Sequence, residues 1–137
     1  MKRFLIVAFV ILLPLTLAAF AEDASERAFV GLWEGIDPVD GGDALRSITC
    51  SEDQTCHLAV TDSVITLCGG GTGFASGTGG LDGDELVFPD VLLTCPNGEE
   101  AHLVVSFERD QLNRTLVETA IVGSRTLPNI IFHKVSR

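Results

Sequence analysis

From residue 100 to the end of the chain, apolar and polar residues change places at almost every step. Ala101, Leu103, Val105 and Phe107 fall on one face of an extended segment, with His102, Ser106 and Glu108 on the other. Thr115, Val117, Thr119 and Ile121 oppose Leu116, Glu118 and Ala120; Leu127, Asn129, Ile131, His133 and Val135 oppose Ile130, Phe132 and Lys134. A period of two marks half-buried β-strands, because successive side chains leave the pleat on opposite sides. Turn chemistry punctuates the pattern. Asp82-Gly83 suits a two-residue hairpin that needs positive φ, and Pro96-Asn97-Gly98 suits a type I turn followed by a left-handed glycine. Asp110 to Asn113 can form another turn, and only Ser25 to Val30 offers a short helical start. The expected strands are 28–36, 44–50, 55–61, 63–68, 73–81, 84–88, 90–95, 100–108, 114–122 and 126–135. So many short strands joined by tight turns form an antiparallel sandwich or barrel. Closure removes exposed sheet edges, so the expectation is all-β, a single antiparallel β-barrel of about eight to ten short strands.

The first residues are of another kind. Lys2 and Arg3 precede the apolar run Phe4 to Leu13, and Ala19-Phe20-Ala21 matches a small-x-small cleavage site. This predicts a signal peptide over residues 1–21 and one barrel domain over 22–137. The rival, an uncleaved anchor, is interrupted by Pro14 and runs only from Phe4 to Ala21, at the lower edge of the roughly 20 residues a spanning helix needs. No stable membrane insertion after cleavage is expected, and the location is secreted, periplasmic or extracellular. Cleavage would remove two of the nine basic residues and none of the 19 acidic ones, so the net charge becomes 7 − 19 = −12. So acidic a surface lacks the cationic concentration that nucleic acid or anionic lipid requires. It fits a solvated surface, or attraction to a basic protein.

Four cysteines in an exported chain read as two disulfides, with three possible connectivities. Cys50 and Cys56 flank Ser-Glu-Asp-Gln-Thr between strand-like segments, so a bridge across a hairpin mouth is natural, leaving Cys68 with Cys95. The C-x2-C pairing typical of structural zinc is missing.

Phe29-Val30-Gly31-Leu32-Trp33-Glu34-Gly35 opens the first strand. Its Gly-x-Trp at Gly31 and Trp33 resembles the start of lipocalins and related calycin barrels, and Ile131-Phe132-His133-Lys134-Val135 resembles their closing strand. The resemblance covers the two ends of the mature chain, which is shorter than a typical lipocalin and lacks that family's long terminal helix. It implies an eight-stranded barrel plugged at one end by Trp33, with Lys134 (or Arg137) packed across the indole as a cation–π pair. It also implies an interior that either holds a small apolar ligand or is filled by side chains.

Candidate chemistry is sparse. Asp37, Asp40 and Asp43, in the loop Asp37-Pro38-Val39-Asp40-Gly41-Gly42-Asp43, are the best metal candidates. Their spacing does not match a calcium loop, and the loop reads as ordinary turn chemistry before it reads as a metal site. The histidines 57, 102 and 133 lie within expected strands without a nucleophile elbow, so no catalytic residue is assigned and no enzyme is expected. No cofactor is expected. Asn113-Arg114-Thr115 is a glycosylation sequon on a turn. The glycine-rich stretch 69–80 lacks both the Lys-Ser/Thr of a phosphate loop and a G-x-G-x-x-G register. It reads as a strand from Gly73, anchored by Phe74 and bare at Gly77 and Gly79, either for a sharp bend or for close approach of a ligand. The functional expectation is a secreted, monomeric, non-enzymatic binding module for a small apolar ligand. The alternative is an acidic interaction or inhibitor module directed at a basic protein.

Overall fold

The computed structural model describes residues 25–135, so the expected signal peptide over 1–21 lies outside the described residues, as does Arg137. A 3-10 turn at Glu26–Ala28 leads into β1 (Gly31–Ile36), followed by β2 (Asp43–Cys50), β3 (Cys56–Ile65), β4 (Gly71–Asp82) and β5 (Glu85–Thr94). Next come β6 (Glu100–Asp110), β7 (Thr115–Val122), the two-residue β8 (Arg125–Thr126) and β9 (Ile130–Lys134). Every neighbour is antiparallel, from β1 through β7 in chain order. The last strand, β9, pairs with β7 on one side and β1 on the other, closing an eight-stranded barrel, with β8 a stub against β7.

Three expected boundaries move, each for a physical reason. Segments 55–61 and 63–68 fuse into β3, which runs through a register shift between Asp62 and Ile65 and ends in a 3-10 turn at Thr66–Cys68. Segments 84–88 and 90–95 fuse into β5: Pro89 has no N–H to donate, and the ladder skips it in a bulge between Phe88 and Val91. Segment 126–135 splits into β8 and β9, with Leu127 N–H donating to Ala120 O across the loop between them.

The interior is unevenly filled. Towards the end where β1 begins, Phe29, Ile48, Leu58, Leu86, Phe88, Phe107, Leu116 and Phe132 are fully or almost fully buried. Phe107 meets Phe88 and Phe132 edge to face, centroids 6.0 and 6.5 Å away, the geometry the ring quadrupoles favour. Trp33 donates its indole N–H to the Phe29 carbonyl at 2.8 Å, and the Lys134 ammonium lies 5.3 Å from its ring centroid. Gly31 permits this crossing: its φ is +145°, and a Cβ there would lie 2.7 Å from Lys134 Cε. Towards the other end the inward positions carry the smaller Val60, Ala75, Val91, Val105 and Ala120, and the interior stays partly empty.

The glycines of β4 face the β5 bulge. A Cβ on Gly77 would stand 2.7 Å from the Asp90 carbonyl oxygen, and one on Gly79 would overlap the Val87 carbonyl. The strand is bare because a neighbouring backbone presses on it, which is the use of glycine at a tight barrel corner. Phe74 does not anchor the interior. Gly73 and Ala75 take the inward phase, so Phe74 projects from the outer wall, 61 % exposed.

Candidate functional site

The partly empty end of the barrel forms a cup of about 130 Å³. Its wall is mostly apolar, with Val60, Ile65, Val91, Leu93, Leu103 and Ile130 prominent, and it opens among the loops carrying Val39, Leu67 and Pro128. Three charged side chains stand in this wall. Arg46 of β2, Asp62 of β3 and Glu118 of β7 are 2 %, 9 % and 5 % exposed. Arg46 Nε and Nη2 donate to the two oxygens of Glu118 at 2.5 and 3.0 Å, a paired fork, while Nη1 and Nη2 donate to Asp62 at 2.5 and 3.3 Å. Nη1 also donates to the Leu45 carbonyl at 3.0 Å, and the guanidinium carbon lies 4.9 Å from the Phe132 ring centroid. Burial alone would lower the arginine pKa, but the charge and hydrogen bonds of Glu118 and then Asp62 outweigh it and hold the group well above its usual value. The cluster therefore carries one positive charge against two negative ones.

Sequence reading does not single these three residues out, yet the signal exists. Arg46 alternates in phase with Ala44 and Ile48, Asp62 with Leu58 and Val60, and Glu118 with Leu116 and Ala120, all of them buried. A charge in the apolar phase of a strand is a charge inside the barrel.

The residues expected from sequence lie elsewhere. Asp37 and Asp40 in the β1–β2 loop and Asp43 at the start of β2 lie at the rim without converging. Asp37 accepts from Val39 N–H at 2.7 Å, Asp40 accepts from Gly42 N–H at 2.8 Å, and Asp43 donates its own N–H to Ser63 Oγ. Among the described residues no three metal-ligating side chains gather. The disulfides join Cys50 to Cys56, opposed residues of the β2–β3 ladder at the plugged end, and Cys68 to Cys95 at the open end. The second ties the β3–β4 loop to the end of β5, holding two of the loops around the mouth.

His102 and Asp90 meet at 2.6 Å on the outer wall, both more than two-thirds exposed, and the hydrogen bond and charge of Asp90 raise the His102 pKa. No hydroxyl bonds to the histidine's other nitrogen among the described residues. His57 borders a shallow dish on the outer face of β2, β3 and β4, about 340 Å³, with Ser47, Thr49, Ser76 and Thr78. It is the larger hollow, but its side chains are mostly exposed and none of its residues carries a buried charge. The cup is the better-built site. In the sequon, Asn113 donates its side-chain amide to Asp110 at 2.6 Å on the exposed β6–β7 turn. No known protein-family model and no curated protein matches this sequence.

Proposed function

We propose that this protein is a secreted, calycin-like binding barrel that holds a small, largely apolar ligand in the cup at its open end and does no covalent chemistry there. The observation that carries the reading is the cup itself: an apolar-walled space of about 130 Å³, reaching the surface, in a barrel otherwise packed with large side chains. Its size limits the ligand. Drug-sized pockets run to about 300–1,000 Å³, whereas a cavity of about 150 Å³ accommodates benzene. The Trp33–Lys134 plug and the eight-stranded meander closed by its last strand support the calycin likeness. Two disulfides support an oxidising, exported setting.

One observation favours the other reading, an interaction module for a basic protein. Ile36 and Val39, each 57 % exposed, and Leu67, 40 % exposed, stand at the rim beside Asp37, Asp40 and Asp43. Apolar anchors with acidic neighbours suit a protein contact, and its association would slow with added salt. Native mass spectrometry of protein purified from its own source separates the two. A retained small molecule supports the cup, a retained basic protein supports the rim, and a bare chain whose melting temperature no small apolar compound raises at millimolar concentration overturns the cup.

A further inference from the structure

We infer that the cup selects ligands with a cationic, amine-type head on a small apolar body, the head seated against Asp62 and Glu118. This deepens the binding reading and rests on it. The guanidinium of Arg46 has five N–H donors, and all are engaged: two by Glu118, two by Asp62 and one by the Leu45 carbonyl. Arginine therefore offers an incoming ligand nothing. The carboxylates offer a good deal. Each accepts two hydrogen bonds from Arg46 and, among the described residues, none from any other donor, about half of what an ionised carboxylate accepts. Their remaining acceptor capacity borders the cup, and the Asp62 side chain is the most accessible of the three at 13 %.

Charge points the same way. The cluster is left with one uncompensated negative charge inside an apolar wall, where an opposite charge is attracted far more strongly than in water. At the mouth Asp37 and Arg125 also line the cup, one of each sign, and neither forms an ion pair with the cluster. An ammonium group supplies both missing elements, a counter-charge and up to three N–H donors. A carboxylate or phosphate head would meet two carboxylates and a saturated arginine. A neutral hydroxyl can donate one hydrogen bond but brings no charge.

Three probes of matched shape test this at pH 7 on the full mature chain: benzylamine, benzyl alcohol and benzoate, titrated by calorimetry and by chemical-shift perturbation. Benzylamine should bind about tenfold tighter than benzyl alcohol, the usual gap between charged and neutral hydrogen bonds, and benzoate should bind more weakly than either. In Asp62→Asn, and separately in Glu118→Gln, which preserve shape while neutralising the cluster, the amine preference should fall below about threefold. Circular dichroism verifies that each variant is folded, and the wild-type comparison stands if one is not. Benzyl alcohol binding as tightly as benzylamine overturns the charge assignment while leaving the binding reading intact, as does a preference that survives both substitutions. If none of the three binds at millimolar concentration, the inference and the binding reading fall together.

Discussion

Replacing Arg46 with methionine should cost this fold more than any surface substitution, and the size of the loss can be worked from the cluster. The side chain is 2 % exposed and gives four hydrogen bonds to two carboxylates, themselves 9 % and 5 % exposed. Removing it leaves two like charges facing each other in an apolar wall. Breaking a buried ion pair by deleting one partner costs about 3–5 kcal/mol, against a total stability of about 5–15 kcal/mol for a domain of ordinary size. The cup lets water approach Asp62, whose side chain is 13 % exposed, so the lower end of that range is expected. At about 4 °C per kcal/mol the melting temperature should fall by roughly 12 °C. Trp33, the only tryptophan and 2 % exposed, reports urea unfolding by its fluorescence. The triple variant Arg46→Met, Asp62→Leu, Glu118→Leu removes the whole cluster and should recover most of the loss, since an apolar replacement of a buried ion network is often neutral or stabilising. A loss below about 1 kcal/mol in the single variant would refute the claim that this cluster is desolvated.

Three further outcomes are expected. Gly79→Val and Gly77→Val should each destabilise by about 1–3 kcal/mol, as overpacking against backbone does. Gly80→Ala, whose Cβ would meet nothing closer than Gln54 O at 3.5 Å, should change urea stability little; equal effects at all three would sink the barrel-corner account. Replacing Cys68 and Cys95 by serine opens a 27-residue separation and Cys50 with Cys56 only 6. Loop-closure entropy puts these at about 3.6 and 2.4 kcal/mol, so the first pair should lower the melting temperature more. Finally, His102 should titrate above the ordinary histidine value by NMR and return towards it in Asp90→Asn. Because its folded pKa is raised, whatever this pair contributes is present below the unfolded value and lost as pH rises through the folded one. An unshifted His102 would remove the contact.

The architecture was legible because the period-two pattern and the turn residues act locally. Cys50 and Cys56 could be placed on one hairpin from the five residues between them. The boundaries that moved depend on non-local facts: a proline tolerated inside β5 because the ladder bulges around it, and a β3 that continues past Asp62 because that carboxylate has a partner 16 residues away in Arg46. The cup was invisible for a related reason. It exists where Ala75 and Ala120 face an interior that Phe88, Phe107 and Phe132 fill elsewhere, and no single segment carries that comparison. Phe74 shows the converse hazard. Its bulk suggested an interior anchor, but two small neighbours already held the inward phase.

The plug also fixes which way the molecule faces. Glu26–Ala28 folds beneath the barrel beside Phe29, and at the far end of the described chain Val135 donates its N–H to the Leu32 carbonyl. Both ends therefore depart from the base, and the cup faces the opposite direction, a strand's length of roughly 25 Å away. A linker or surface joined at Ser25 or Val135, where the described chain begins and ends, holds the protein by its stem and leaves the cup upright and unobstructed. Immobilised binding measurements and fusions can use either of these two points without choosing between orientation and access.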